Sequence, residues 1–473
     1  MQLKLTSRRT LVYCVLLLFL FECQKTPKEK SEDLPKQNGI SPDQVHPQYW
    51  NYQGEAILLL GGSDEDNAFQ MPEVEKHLEI LKQAGGNYLR CTMSSRDSGN
   101  VWPFATNEEG LYDLRQWNET YWQRFDNFLK ASQERNIIVQ IELWATFDFY
   151  RDNWEVNPFN PKNNVNYSAE RSKLPLSVPT HPTWTENNFF WSVPSQESNL
   201  VVLGYQQSYV DKLLSYSLKY DNVLYCMDNE TSVTSEWGKF WSLYIKKVAS
   251  EQGKQIFTTE MWDPHDLSHA AHRETIDHPE IYDFADISQN NHKSADMHWE
   301  NGLKQLQRIA TSGKVRPANN VKIYGNDGGR HQTTQNAIES FCRNVLMGCA
   351  SARFHRPTSG QGLNEVAQAT IKTMRKVSSM QGFFEGKANN EILLNREANE
   401  AFCRTLPDNQ FIVYFTNGGE VDLDVENSQN YQATWYHVLS DETISQELKL
   451  DDGVLSLACP EEGHWVVCLL SSS

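Results

Sequence analysis

Eight short apolar runs recur along the chain, and each is followed by sequence with helical character, as at 73–83, 121–134, 205–218 and 334–346. Near-continuous apolar strands that alternate with helices are typical of a parallel sheet covered on both faces. Eight such units predict closure into a (β/α)8 TIM barrel. An open doubly wound sheet is the alternative, but no GxGxxG or P-loop pattern supports it. The runs are residues 56–61, 87–93, 137–143, 222–227, 255–259, 284–288, 321–325 and 348–354.

The sequence changes character near residue 389, where short segments with strand-like composition begin. Asn417-Gly418-Gly419 and Asp451-Asp452-Gly453 supply turn chemistry between them. We therefore expect an α/β chain with a barrel over 45–387 and a small all-β sandwich over 388–473. The predicted strands of the sandwich are residues 411–414, 421–425, 435–438, 454–457 and 465–469.

The first residues predict export. Basic residues precede an apolar run at 11–21, which is shorter than the roughly 20 residues of a transmembrane helix. We interpret 1–23 as a signal peptide and 24–44 as a polar tether. Cys23 stands where a bacterial lipoprotein signal carries its lipidated cysteine, but Glu22 stands where such signals usually have a small residue. Lipid anchoring through Cys23 and plain signal cleavage both stay open, with the protein in the periplasm or at the cell surface.

The charge and the cysteine pattern of the sequence limit which ligands the protein is expected to bind. The net charge of −18 argues against nucleic acid, since phosphate contacts need a basic surface. No CxxC or Cys/His spacing of a zinc site occurs, and we predict neither a metal nor a cofactor. The seven cysteines after the signal are expected to be buried free thiols. GxSxG and HExxH motifs are absent, which argues against a serine esterase and a zincin protease.

A long segment at 152–199 separates the third and fourth runs and has little periodicity. Long irregular loops inside a compact domain are usually functional or disordered. Its aromatic residues favour an ordered loop, which we interpret as a wall of a substrate cleft. They are Trp154, Phe159, Trp184, Phe189, Phe190 and Trp191.

Strong polar side chains follow the ends of the apolar runs. Barrel enzymes keep their active sites at the C-terminal ends of the strands, so we expect these side chains to surround one cleft. The fourth run leads to Asn229 and Glu230, and the fifth leads to Glu260 and Trp262. The other candidates are Asp64, Arg90, Glu142, Trp144, Asn291, His292, Asp327 and His355.

These strand ends, in this order, resemble those of clan A glycoside hydrolases. The opening HPQYWNYQG at 46–54 is similar to glycosidases of that clan that carry a trailing β-sandwich. The resemblance covers about 45–470 in layout but only short motifs in detail. It implies that Glu230 is the general acid/base, that Asn229 binds the sugar 2-hydroxyl group, and that Arg90 orients the nucleophile.

The seventh run departs from that pattern. The clan places a nucleophilic Glu at this strand end, whereas the segment here reads Tyr-Gly-Asn-Asp-Gly-Gly. Asp327 is the nearest carboxylate, and Glu260 after the fifth run is the other candidate for the second catalytic carboxylate. A third interpretation is that the barrel has lost its nucleophile and only binds carbohydrate.

Glycoside hydrolysis requires two carboxyl groups, one that protonates the leaving oxygen and one that attacks or activates water. The acid must keep its proton, so burial or a nearby negative charge has to raise its pKa. We therefore predict hydrolysis of O-glycosidic bonds in a poly- or oligosaccharide. The expected substrate-binding residues are Arg90, Asn229, Trp144, Glu142, Trp262, His292, Asn291, His355 and Asp64.

Overall fold

The structure is a computed structural model that describes residues 39–182, 187–328, 331–425 and 430–471. Strands of the first part of the chain are β1 (Ser41–Pro42), β2 (Trp50–Tyr52), β3 (Glu55–Ile57), β4 (Leu59–Gly62), β5 (Tyr88–Thr92), β6 (Phe104–Thr106), β7 (Tyr112–Trp117), β8 (Ile138–Ala145), β9 (Val223–Asn229), β10 (Thr258–Thr259), β11 (Ala285–Asp286), β12 (Ala318–Asn319) and β13 (Ser351–Phe354). Eight of them, β4, β5 and β8 to β13, follow the order of the eight apolar runs, although β12 ends just before the seventh run, which contributes an isolated bridge between Ile323 and Phe354.

These eight strands form the predicted barrel. Six pair in the order β10-β9-β8-β5-β4-β13, and β11 pairs with β12, all in parallel. Backbone hydrogen bonds join the two groups: Asp283 N donates to Thr258 O over 2.8 Å, and Ile323 N donates to Arg353 O over 2.9 Å. The fold class predicted from the sequence is thereby confirmed.

Helices cover the outside of the barrel and bury their apolar faces against it. Side-chain caps fix several of their starts; Asn118, for example, accepts a hydrogen bond from Thr120 N at the start of α2. The helices are α1 (Val74–Gln83), α2 (Glu119–Glu134), α3 (Arg151–Val156), α4 (Ala169–Ser172), α5 (Leu200–Ser217), α6 (Ser235–Glu251), α7 (Ala270–Ile276), α8 (Ala295–Thr311), α9 (Thr334–Met347) and α10 (Glu365–Ser378).

A small antiparallel sheet, β1-β2-β3, covers the N-terminal end of the barrel. Trp50 of β2 is fully buried, and its indole nitrogen donates to Asn319 Oδ1 over 2.9 Å. The Trp50 ring packs edge-on against Phe257 and Phe284, which precede β10 and β11. The opposite, C-terminal end is therefore the one that stays open for a site. The first apolar run, expected as one strand, is divided between β3 and β4.

The C-terminal part of the chain is the predicted all-β sandwich. A sheet of order β14-β16-β17-β22-β19-β20 packs on a sheet of order β15-β18-β21 around a core that includes Trp435 and Trp465. The strands are β14 (Lys387–Ala388), β15 (Leu393–Leu394), β16 (Ala401–Leu406), β17 (Gln410–Phe415), β18 (Glu420–Asp424), β19 (Tyr431–His437), β20 (Thr443–Leu448), β21 (Val454–Ala458) and β22 (Trp465–Ser471).

Barrel and sandwich are packed together through buried contacts. Arg404 of β16 donates to Leu346 O over 3.0 Å, to Phe383 O over 2.9 Å and to the Tyr49 hydroxyl over 2.8 Å. Phe402 and Tyr414 of the sandwich belong to the same apolar cluster as the barrel core. The proposed boundary after residue 387 falls inside β14 and remains a prediction.

The segment predicted to be a signal peptide, with Cys23, lies outside the described residues, as does Trp184. Within the described ranges, no helix has both the length and the apolar character needed to cross a membrane. All seven cysteines after the signal are free thiols, and each except the half-buried Cys459 is buried.

Candidate active site

Glu230 follows β9 directly and lies at the C-terminal end of the barrel. Its backbone is in the left-handed region, with φ of 58°, and its side chain is 19% exposed. A non-glycine residue in this region costs of order 1 kcal/mol, and such strain clusters at functional sites. The local conformation turns the chain sharply at the end of the strand and places the carboxylate in the barrel mouth.

Lys322 approaches Glu230 from the seventh strand segment. Its ammonium nitrogen lies 2.6 Å from Glu230 Oε1 and 2.5 Å from Asn229 Oδ1. The hydroxyl group of Tyr324, two residues further on, donates to the same oxygen of Glu230 over 3.3 Å. Residues two apart in an extended strand point to the same face, which explains why both reach one carboxylate.

The groups around the Glu230 carboxylate determine its protonation state. Burial alone would raise the pKa of its carboxyl group, but Lys322, with help from Arg90 and His355, lowers that pKa to about 2. Glu230 is therefore ionised at neutral pH. A general acid needs the opposite shift, so the free protein does not hold Glu230 in the state expected of a proton donor.

A second ionic network lies beside Glu230 and centres on Asp66. Arg90 is fully buried and donates to Asp66 Oδ1 over 2.6 Å and to Glu142 Oε1 over 2.6 Å. His355 and Arg356 also lie within 3.5 Å and 3.4 Å of the Asp66 carboxylate. Burial opposes ionisation of Asp66, but the neighbouring Arg90 guanidinium keeps its pKa well below the usual value.

A cavity of about 620 Å³ opens above these groups. The long loop after β8 contributes Phe147 and Asn153 to its wall, and the ring of Phe147 packs edge-on against His181 with centroids 5.2 Å apart. Asn153 is the lining residue that belongs to the predicted segment 152–199, whose aromatic residues Trp154, Phe159, Phe189 and Phe190 are buried. The interpretation of that segment as a cleft wall stays a prediction. The lining residues are Asp66, Arg96, Asp97, Phe147, Asn153, Asn229, Glu230, Lys322, Tyr324, His331, His355, Arg356, Thr358 and Ser359.

The pKa of the Asp263 carboxyl group is shifted in the opposite direction to that of Glu230. It is half-buried, and its backbone nitrogen donates to Thr231 O over 3.1 Å, which ties it to the residue after Glu230. Burial and the negative charge of Glu230 together raise the pKa of Asp263 to about 6. Asp263 can therefore hold a proton under mildly acidic conditions while Glu230 is ionised.

Three aromatic side chains line up beside this pair. The imidazole rings of His265 and His292 stack with centroids 3.6 Å apart, and His292 lies 4.5 Å from the ring of Tyr324. Burial is the main cause that lowers the pKa of His292, to about 3. His292 is therefore neutral at ordinary pH and contributes a flat ring rather than a charge.

The two predicted partner carboxylates lie elsewhere. Asp327 is exposed, and its Oδ1 accepts a hydrogen bond of 2.9 Å from Thr334 N at the start of α9. Glu260 is completely buried and contacts the Thr231 hydroxyl. Burial and the nearby Asp228 raise the pKa of Glu260 well above its usual value. Their contacts are with Thr334 N and the Thr231 hydroxyl rather than with Glu230.

Other predicted sugar contacts are part of the packing. Trp144 is 3% exposed and lies among the rings of Phe189, Trp237 and Trp241, because the loop and α6 cover it. Trp262 is 4% exposed and donates to Thr275 Oγ1 over 2.9 Å. Neither indole presents a face to the cavity.

Three further predicted contacts also have internal partners. Glu142 is fully buried in its ion pair with Arg90. Asn291 is fully buried and donates to Lys322 O over 2.8 Å. Asp64 is on the rim, where its Oδ1 accepts a hydrogen bond of 2.9 Å from Leu363 N. Asn229, Glu230 and His355 are the predicted residues that line the cavity, with Arg90 directly behind them.

Sequence reasoning missed Lys322, Tyr324 and Asp66 and did not predict the raised pKa of Asp263. A signal for the first two was present, since Lys322 is a charged residue inside an otherwise apolar run and Tyr324 follows at strand spacing. Within the described ranges, no group of three or more His, Cys, Asp or Glu side chains is arranged to hold a metal ion.

Comparison with solved structures identifies the fold. A glycoside hydrolase family 5 protein from Bacteroides vulgatus matches with a TM-score of 0.64 and 12% identity, over 91% of this chain and 93% of its own. Another structure, described as a glycoside hydrolase, matches with a TM-score of 0.64 and 11% identity, over 92% of this chain and 97% of its own. No family model and no curated protein matched the sequence. The chain has the fold of clan A glycoside hydrolases.

Proposed function

We propose that the protein hydrolyses O-glycosidic bonds of an oligo- or polysaccharide in the cavity at the C-terminal end of the barrel. One observation carries the proposal: Glu230 and Asp263 follow the paired strands β9 and β10, where Thr231 and Trp262 form a backbone bridge, and their surroundings set pKa values of about 2 and about 6. Two carboxyl groups whose pKa values are pushed apart are what acid/base cleavage of a glycoside requires. The fold supports the same class of reaction.

In this proposal the roles of the carboxyl groups differ from those predicted from the sequence. Asp263 donates its proton to the glycosidic oxygen while the bond from that oxygen to the anomeric carbon breaks. The ionised Glu230 either bonds to the anomeric carbon or takes a proton from an attacking water. In the first case, water later releases the sugar and returns a proton to Asp263.

The charges of the cavity favour an uncharged glycan. Among the described lining residues, Arg96, Lys322 and Arg356 face Asp66, Asp97 and Glu230, so the permanent charges balance. The volume of about 620 Å³ leaves room for more than one sugar ring. Phe147, on the cavity wall, offers an apolar face of the kind that packs on the C–H face of a pyranose.

The test is hydrolysis of a panel of plant, algal and host glycans by the wild type, Glu230→Gln and Asp263→Asn. We expect Glu230→Gln to lose almost all turnover and still bind the glycan in calorimetry. Asp263→Asn should lose roughly 10²- to 10⁴-fold, the usual range for one acid/base group. An aryl glycoside with a good leaving group should restore much of that loss, because its departure needs no proton. Unchanged turnover in both variants would refute the assignment.

Rescue by azide distinguishes between Glu230 as a nucleophile and Glu230 as a base that activates water. If Glu230 is a nucleophile, Glu230→Ala should recover turnover in azide and yield a glycosyl azide of inverted configuration. If Glu230 activates water, the wild type itself inverts, and NMR of the first product shows that directly.

Binding of a glycan without hydrolysis is a second candidate, and the Lys322 contact favours it. Lys322 forms an ion pair with Glu230 at 2.6 Å, and a carboxylate held in an ion pair is a weaker nucleophile and a weaker base. In that case the wild type binds a member of the panel but releases no product at any pH between about 4 and 8, the range in which acid/base groups of this kind work.

A further inference from the structure

Lys322 is a charged side chain in the interior of the barrel, with only 1% of its side chain exposed. Burying an ammonium group is costly unless a carboxylate and further hydrogen-bond acceptors compensate it. Glu230 supplies the carboxylate, and Asn229 supplies an amide oxygen at 2.5 Å. These two partners compensate the charge of Lys322 at the floor of the cavity.

The contact also restrains Glu230. Lys322 and Tyr324 both donate to Oε1, so one carboxylate oxygen is held by two donors from the same strand segment. Lys322 binds Asn229 at the same time, which links the side chains of two consecutive residues. A carboxylate held in this way keeps its rotamer while a sugar enters the cavity.

We propose that Lys322 is a positioning residue for the reaction, which fixes the orientation and the negative charge of Glu230 through the contact of its ammonium group with Oε1. The proposal rests on the proposed function, because the orientation and charge matter only if Glu230 takes part in the chemistry. It gives a reason for a buried cation in contact with Glu230.

Other charged groups near Glu230 do not replace Lys322. Arg90 and Arg96 already face the carboxylates of Asp66, Glu142 and Asp148. The histidines that face Glu230 have pKa values lowered by burial, which weakens them as sources of positive charge beside the carboxylate. They are His181, His265, His292 and His355. Asp263 is the neighbouring acid, and a loss of the Lys322 charge would leave the two carboxyl groups facing each other.

The first experiment is the pH profile of kcat/KM for Lys322→Met, with Tyr324→Phe as the matched control. Lys322→Met removes the charge, so the acid limb set by Glu230 should rise from about 2 by at least two pH units. Tyr324→Phe removes a donor to the same oxygen without changing the charge, and its acid limb should stay in place. We expect kcat of Lys322→Met to fall at least tenfold with KM changed less than threefold, and Lys322→Arg to restore part of kcat. A rate loss with an unmoved acid limb would overturn the proposal.

A second experiment does not depend on turnover. The unfolding equilibrium in urea is measured at neutral pH for the wild type, Lys322→Met, Glu230→Gln and the double variant. The change in the unfolding constant caused by Lys322→Met should be at least tenfold larger in the wild-type background than in the Glu230→Gln background. Additive changes would overturn the proposal. Coupling without hydrolysis of any glycan would contradict the proposed function alone, so the two failures are distinguishable.

Discussion

The backbone nitrogen of Asp263 donates to the carbonyl oxygen of Thr231 over 3.1 Å, so the segment after β10 is tied to the residue that follows Glu230. Trp262 and Thr231 also form a parallel bridge at this point. The distance between the two carboxyl-bearing segments is therefore set by the barrel backbone and does not depend on a mobile loop.

The first prediction concerns alkaline pH. Burial and the charge of Glu230 raise the pKa of Asp263 to about 6, and the reaction needs its protonated form. Activity should be fully present below that pKa and fall about tenfold per pH unit above it, as for any single required proton. The measurement is kcat/KM across the range from acidic to mildly alkaline pH. Asp263→Asn should lack the alkaline limb, and a wild-type optimum on the alkaline side of neutrality would contradict the assignment.

The second prediction concerns the buried ion pairs behind the cavity. Arg90→Met leaves the Asp66 and Glu142 carboxylates without their shared guanidinium, and removal of one partner from a buried pair costs about 3–5 kcal/mol. Urea unfolding checks this. Arg308→Met is the control, since Arg308 pairs with Asp277 at the surface and such pairs contribute at most about 1 kcal/mol. Equal losses in the two variants would show that burial of Arg90 does not matter.

The third prediction uses two helical glycines. A Cβ at Gly238 of α6 would overlap the Glu260 carboxylate, whereas a Cβ at Gly204 of α5 meets no atom within 4 Å. Gly238→Ala should lower the free energy of unfolding by about 1–3 kcal/mol through overpacking. Gly204→Ala should raise it by about 0.5–1 kcal/mol, because alanine has the better helix propensity. Thermal and urea unfolding of the two variants should move in opposite directions.

The fourth prediction concerns the cavity wall. Phe147→Ala removes an apolar face from the cavity, and aromatic packing is typically worth about 0.5–1.5 kcal/mol, so KM should rise roughly two- to tenfold while kcat changes little. Phe240→Ala is the control, because Phe240 packs against Tyr244 on the outside of the barrel. A KM that does not respond to Phe147→Ala would show that the sugar does not reach this wall.

The barrel was predictable because its signal is repeated along the chain and does not depend on any single boundary. The weaker sandwich signal did not reveal β14, β15, β16 or β20. β20, for example, is largely exposed on both faces, and its polar sequence at Thr443–Leu448 shows no apolar alternation. β16 follows a polar stretch and is mostly buried, so it also lacks the alternation typical of a half-exposed strand.

The site was predictable only in part. Glu230 was found because its position after a strand is a property of local sequence. The partner proposed for Glu230 was not predicted, because Asp263 acquires its raised pKa from burial and from a neighbour that lies 33 positions earlier in the chain. The burial of Trp144 was not predicted either, because a tryptophan that stacks on a sugar and one that packs in the core can have the same sequence context. Both the pKa of Asp263 and the burial of Trp144 depend on residues that are distant in the sequence and close in the fold.

The contacts of Arg404 bear on how this protein could be re-engineered. The Arg404 guanidinium binds Leu346 O, Phe383 O and the Tyr49 hydroxyl, and it thereby connects the sandwich to the barrel. Grafting the barrel onto a foreign accessory module, or trimming the tail to shrink the protein, should yield insoluble material rather than a smaller enzyme. The C-terminal β-sandwich is therefore an integral part of the folded protein and not a separable module.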